Sequence, residues 1–486
     1  MVEHVGAPEP SAIDLRAITS TSALRSLKRL GKITAVMGRR VGPVVARRPF
    51  ARDTEQWKGQ LGRALAGSVR ELGVTFVKLG QILASSPSIA GQTLADAMRG
   101  VLDDGPPLPF DTVRRVVERD LRKRIEDVFS SFDREPFAAA SLAVVHRARL
   151  LDGTDVAVKV LRPHSAQVVA TDMSLVRPLV RFLAKQVPIG VFPAVPDTIE
   201  GLAEQLSEEL DLRNEAAVMD WFGEMAQVIE AKGVRVPRTI PEASGKSVLT
   251  MEFMHGTKID DLEAIARGEI DASAAMEALI EAWFALALTT GTFHGDMHAG
   301  NLLLTPEGEV VLLDWGIVGR LPPASRNFFR RSLEGALGDE SAWPDVRDHF
   351  LSTLPPDALA SMGFTPDMLL EMIRAQTLMI MTAPFNELNL MMLMPSASSL
   401  QNDDSAPPVP SSPREMLRLI RQERKRMRES NWQETMAQHA PPRGEMLLIK
   451  QLVFFERYGK MFLGDQPLIY DPDVYRTLLE VSAPKS

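Results

Sequence analysis

The sequence predicts an α+β chain in two lobes. Two short hairpin patterns, Leu142–Arg149 with Val156–Leu161 and Asn301–Leu304 with Val310–Leu313, sit inside long stretches of helical periodicity. The 486 residues exceed what one hydrophobic core accommodates. Hydrophobic residues at 45% and charged residues at 24% are ordinary globular values, so most of the chain is expected to fold.

Residues 1–20 are polar and Pro-containing and read as disordered. Residues 21–120 read as a helical extension, with apolar residues at helical spacing in Arg63–Ser85 and Thr93–Leu102. Gly105-Pro106-Pro107-Leu108-Pro109 ends that run, and Asp111 is the expected N-cap of a helix to Leu121. Residues 121–256 read as the first lobe. From Phe137 the period shortens to two, and Asp152-Gly153 turns the first hairpin. Asp197–Lys232 reads as one long charged helical region and Ser247–Met254 as a strand. Residues 257–395 read as the second lobe. Asp260–Leu288 is mostly helical, Pro306-Glu307-Gly308 turns the second hairpin, and helices run on to residue 383. Residues 396–413, rich in Ser, Pro and Asp, read as a flexible linker, and 414–486 return to helical patterns.

Absent cysteines exclude disulfides, zinc–thiolate sites and thiol nucleophiles, and a cytoplasmic setting is expected. The net charge of −8 hides an asymmetry, because residues 1–70 hold 13 Lys/Arg against 5 Asp/Glu. Such an arm suits an anionic membrane surface, whereas nucleic acid is not an expected partner. The most apolar runs are Ala282–Phe293 and Met446–Phe455. The first is shorter than the roughly 20 residues of a membrane span and the second is broken by Lys450, so any membrane contact is expected to be peripheral.

The chemistry concentrates in His294-Gly295-Asp296-Met297-His298-Ala299-Gly300-Asn301, followed by Asp314-Trp315-Gly316. Phosphoryl transfer needs Mg²⁺ held against phosphates and a carboxylate near the attacking hydroxyl or water. An Asp followed five residues later by Asn is the arrangement of a kinase catalytic loop. Asp296 would orient or deprotonate the nucleophile. Asn301 and Asp314 would bind Mg²⁺, Asp314 as the acid of a DFG-type motif written DWG. His294 reads as a packed residue that organises the loop. His298 has no assigned role.

The nucleotide-holding half follows the same logic. Ala157-Val158-Lys159-Val160 places a lysine on a strand, where it would reach the α/β-phosphates. Ala138-Ala139-Ala140-Ser141 stands where a kinase has a glycine-rich turn, so that loop is expected to be stiffer. Candidate carboxylate partners for Lys159 are Glu208, Glu209, Asp211 and Glu215. On one continuous helix Asp211 and Glu215 share a face and Glu209 points elsewhere. Glu252 and Met254 fit a hinge whose backbone meets adenine. These motifs together predict a bilobal protein-kinase-like fold that binds ATP and Mg²⁺.

With Lys78-Leu79-Gly80-Gln81 added, residues 70–320 resemble the UbiB/AarF/ADCK family of atypical kinase-like proteins. That segment is similar to the family's KxGQ motif, Ala138–Ser141 to its alanine-rich loop, and Glu209-Leu210-Asp211 to its ExD motif. The resemblance implies a helical extension packed over the active site, with Lys78 paired to Glu209 or Asp211 and Glu215 to Lys159. Lys78, Gln81, Glu209 and Asp211 then regulate access. It also implies ATPase activity supporting isoprenoid-quinone or lipid metabolism, with a small lipid-like or quinone-precursor substrate. The chain departs from the family pattern at Ser86, Ser88, Val144, Val218, Met297 and Ala299. Two other functions fit the catalytic segment: a small-molecule phosphotransferase of aminoglycoside-kinase type, and a nucleotide-sensing scaffold without turnover.

Overall fold

The computed structural model describes residues 6–19, 23–47, 54–85, 107–186, 195–354, 365–390 and 443–482, with single positions 97, 105 and 359. The expected linker 396–413 and nearly all of the expected helix Thr93–Leu102 lie outside the described residues.

The first lobe is built on an antiparallel sheet of strands β1 (Phe129–Phe132), β2 (Ala138–Ala139), β3 (Ala143–Leu150), β4 (Asp155–Leu161) and, further along the chain, β6 (Val248–Glu252). Their order is β1-β3-β4-β6, with β2 also on β3. Alternation decides the faces. Val144, Val156, Val158, Val160 and Val248 pack outward against Val113, Val116 and Val117 of the helix Phe110–Leu121. That helix begins after Pro109, so Asp111 lies in its first turn and is not the N-cap. It still faces the positive end of the helix dipole. The opposite sheet face, with Ala157, Leu161 and Leu249, joins the main core.

The second lobe centres on the helix Ala272–Thr290, whose buried residues include Met276, Leu279, Ile280, Trp283, Phe284 and Leu288. It is long and apolar enough to cross a membrane, but most of it is buried inside the protein. It exceeds the Ala282–Phe293 run because an alanine-rich first half continues the helix and is capped by Asp271. Around it lie a sheet of β5 (Val234–Arg235), β7 (Thr257–Lys258), β9 (Leu302–Leu304) and β10 (Val310–Leu312), and a pair formed by β8 (Thr292–His294) and β11 (Val318–Arg320). The helices Arg443–Phe462 and Pro472–Val481 pack directly on this core, burying Phe455, Tyr458 and Tyr475.

Residues 6–19 correct the expectation of a disordered start. Ala7 and Leu15 are buried and Ile13 and Ile18 pack on the core. Ala7 donates its N–H to Thr292 Oγ1 at 3.3 Å, Ser11 donates to Asn214 Oδ1 at 2.9 Å, and Arg320 donates to the Pro8 carbonyl at 2.7 Å. Satisfied backbone groups and four apolar anchors outweigh the polar composition.

Candidate active site

β4 points Lys159 into the cleft because its alternate residues, Val156, Val158 and Val160, are buried on the other face. Lys159 Nζ donates to both carboxylate oxygens of Glu215 at 2.8 Å and lies 3.2 Å from Asp314 Oδ1. Glu215 sits in the first turn of the helix Leu212–Val228, which Asp211 caps by accepting from Arg213 N–H. The expected continuous helix is therefore two, Val195–Glu209 and Leu212–Val228, with Asp211 extended between them. That break corrects the face argument: Glu209 and Glu215 both reach the cleft.

Lys78, on the helix Val74–Ser85, donates to Glu209 at 3.4 Å, while Asp211 pairs with Arg213 at 2.6 Å. Of the two acids considered for Lys78, Glu209 is the one it reaches at 3.4 Å. Gln81 lies on the same helix, and its side chain is outside the described residues. Glu208 also lines the cleft and pairs with Arg443 at 3.2 Å.

The catalytic-type loop leaves β8. His294 is buried; its Nδ1 accepts from Asp296 N–H at 3.2 Å, and Nε2 faces the carbonyls of Leu313 and Asp314 at 3.2 and 3.1 Å. This network assigns the proton to Nε2. Burial lowers the His294 pKa, keeping the ring neutral, so it is the packed organiser that its sequence context suggests. Asn301 is buried and donates through Nδ2 to the Asp296 carbonyl at 3.0 Å, which leaves its amide oxygen as the acceptor for a cation. Trp315 is buried between Phe222 and His294, with ring centroids at 4.2 and 4.6 Å, and so fixes Asp314.

Burial opposes charge throughout, and neighbouring charges outweigh it at Lys159, Asp314 and Asp296 but not at Glu215. Asp314 and Glu215 override burial at Lys159 and raise its pKa. Lys159 and Lys78 override burial at Asp314 and hold its carboxyl far below the usual range. At Glu215 burial wins, pushing it up to about 7 against the pull of Lys159, with Asp314 adding to the rise. At Asp296 burial also raises the pKa, but Lys450, then His298 and Lys78, bring it below the ordinary value.

A cavity of ≈ 90 Å³ between the lobes is lined by Lys78, Ala140, Lys159, Glu215, Asp296 and Asp314 among others. The alanine segment is less loop-like than expected. Ala138 and Ala139 form β2 against Val145 and Val144. Ala140 closes a tight turn on Ala143, and its carbonyl accepts from Arg162 Nε at 3.0 Å. Ala140 therefore lines the cavity, while Ala138, Ala139 and Ser141 do not. Glu252 and Met254 also lie off its lining; the Glu252 N–H is given to the Arg238 carbonyl and its carboxylate to Arg235.

Sequence reasoning missed Lys450 and Gln451. Lys450 Nζ donates to Asp296 Oδ1 at 2.6 Å. Gln451 donates to the Gly295 carbonyl at 2.7 Å and accepts from Met297 N–H at 3.1 Å. The available signal was a Lys-Gln pair interrupting an apolar helical run.

The chain matches the ABC1 atypical kinase-like domain over residues 100–342, half of its length. It belongs to the ABC1 atypical kinase-like family. Relatives of this ABC1 protein bear the UbiB and aarF names of the sequence resemblance. It is 30% identical over 276 residues to a probable protein kinase UbiB of Marinobacter nauticus, covering 56% of this chain and 50% of the relative. It is 37% identical over 284 residues to the uncharacterized protein Rv0647c of Mycobacterium tuberculosis, covering 58% of each. It is 28% identical over 407 residues to an aarF domain-containing protein kinase of Arabidopsis thaliana, covering 82% of this chain and 72% of the relative. The matched region thus spans half of the first of these relatives and 58% of the second. Among solved structures, the Rv3197–erythromycin complex from Mycobacterium tuberculosis is similar with a TM-score of 0.47 and 22% identity, covering 82% of this chain and 96% of that one. Lys78 and Lys450 both lie outside the span of the ABC1 match.

Proposed function

We propose that this ABC1 protein binds ATP with Mg²⁺ and acts as an ATPase or a kinase of a small lipid-like substrate, supporting isoprenoid-quinone or lipid metabolism. The observation that carries the reading is Lys159 held by Glu215, with Asp314 at 3.2 Å and Asp296 lining the same cavity. In this reading Lys159 receives phosphate oxygens, and Glu215 keeps it from collapsing wholly onto Asp314. Asp314 and the Asn301 oxygen would hold Mg²⁺. An ionised Asp314 and an amide fixed through its nitrogen suit a hard cation, which commonly takes one or two protein carboxylates plus phosphates and water. Bound there, the ion would neutralise charge on the phosphates. Asp296 orients a hydroxyl or water through the carboxylate oxygen that Lys450 leaves free.

Two features favour small acceptors over peptides. The Lys78 helix and Pro10 of the N-terminal strap both line the cavity. Its volume is also far below the roughly 300–1,000 Å³ of pockets for drug-sized ligands. A nucleotide enters only after the lobes part, and an extended peptide finds its approach covered.

We further propose a peripheral membrane contact from the cytoplasm. The helix Ala23–Arg40 exposes Leu24, Leu27 and Leu30 beside exposed Arg25, Lys28 and Lys32. An apolar ridge with flanking cations suits an anionic lipid surface.

The test is ATP turnover by the purified full chain, with and without anionic vesicles and candidate quinone precursors, against Asp314→Asn. Mg²⁺-dependent binding and turnover lost in Asp314→Asn is the expected result. No Mg²⁺-dependent nucleotide binding by the unaltered chain sinks the reading.

A further inference from the structure

The helix Arg443–Phe462 reaches the active-site loop from well beyond the ABC1 match. Its N-terminal end is fixed twice. Arg443 pairs with Glu208, and Gly444 packs on the Arg320 carbonyl, where an added Cβ would lie 2.0 Å from the oxygen. Further along, Gln451 is fully buried and bonds backbone on both sides of Asp296, at Gly295 and Met297. Lys450 takes the Asp296 carboxylate itself at 2.6 Å. An incidental surface pair does not come with a buried amide bracketing the same loop.

We propose that Lys450 is a positioning residue for Asp296, holding one carboxylate oxygen so that the other faces the nucleophile, while Gln451 fixes the loop beneath it. This rests on the proposed role of Asp296 in turnover. The groups facing Asp296 are Lys450 and the buried Tyr458 on the C-terminal helix, His294 and His298 on its own loop, and Lys78 from the helix above, with Lys159 and Asp314 lining the same cavity. Lys450 meets its carboxylate at 2.6 Å, whereas the His298 ring stands at 3.9 Å.

Two measurements test the idea on the full chain. In ¹³C-aspartate-labelled protein, with Asp296→Asn to assign the resonance, Lys450→Met should raise the Asp296 titration by about one pH unit, the scale of a lost neighbouring charge. In Mg²⁺-ATP turnover it should move the acid limb of the kcat profile upward by a similar amount. Turnover should fall about tenfold or more, with KM for ATP within about twofold. Lys450→Arg should restore the acid limb. If Lys450→Met does not fold, Lys450→Gln serves in both measurements. An unchanged carboxyl titration with an unchanged acid limb overturns the proposal. If the unaltered chain does not turn over ATP, the functional reading fails, and the carboxyl titration alone still decides for or against Lys450.

Discussion

Asp314 adopts a φ of +48°, in the left-handed region where Asn and Asp are the most tolerant non-glycine residues. Asp314→Asn should therefore fold normally and lose Mg²⁺-dependent nucleotide binding, whereas Asp314→Ala should also lose about 1 kcal/mol of stability. Calorimetry and nucleotide titration separate the two effects. Asp296→Asn should keep nucleotide binding and lose at least about a hundredfold in turnover; a native rate would remove Asp296 from its role. The Asp296 carboxyl is held below the ordinary value, so its stabilisation is present above about pH 3.9 and lost as pH falls through the lowered folded value. The Tm gap between the unaltered chain and Asp296→Asn should then persist from pH 7 to 5 and narrow only below about pH 4. At the alanine turn, Ala140→Gly should loosen the segment that Arg162 grips and change ATP affinity. Ala139→Gly should matter less there, because Ala139 is committed to β2. Lys159, Asp296 and Asp314 were legible because each sits in a short motif of recognisable spacing, whereas Glu215 was one of four candidate acids and was singled out only by the family resemblance. Lys450 was not legible, because its contact with Asp296 spans 154 residues.

Both hairpins were legible within a residue or two, since a one-residue slip would turn every valine of β4 away from the helix Phe110–Leu121 and into the cleft. The break at Leu210–Asp211 was not, because the flanking segments share one charged, helical composition; what ends the first helix is a cap for the second. Helices of the N-terminal extension are tied down by an ion pair. Arg29 donates to Asp172 at 2.5 and 2.8 Å, and Asp172 is fully buried. Arg29→Met should cost about 3–5 kcal/mol by stranding that carboxylate, measurable by denaturant unfolding. For the membrane proposal, replacing Leu24, Leu27 and Leu30 together by Ser is cleaner than deleting residues 1–60, which would also remove the strap and Arg29. Co-sedimentation with anionic vesicles should fall severalfold in the triple variant; equal binding would reject this helix as the contact. The C-terminal helix is seated by close approach, so Gly444→Val should displace it from β11 and lower both stability and turnover, with the nucleotide affinity of any folded fraction little changed.

For the molecule as a whole, composition and length pointed to more than one core, and motif order gave the lobes their sequence along the chain. The closure of the structure was hidden. Residues 6–11 bond to Thr292, Asn214 and Arg320, far along the chain, and polar segments carry no periodic signal of such a strap. The C-terminal helices fill the second lobe's core although a long segment outside the described residues precedes them. This connectivity has a consequence during synthesis. A ribosome adding about 5–20 residues per second takes roughly 8–30 s to pass from Asp296 to Lys450. Once Asp314 has been added, the nascent chain carries Lys159, Asp296, Asn301 and Asp314 but not the lysine and glutamine that bond to the loop. The proposed catalytic loop is thus set by a helix made long after the loop itself, and the turnover proposed for it waits on a segment 154 residues downstream.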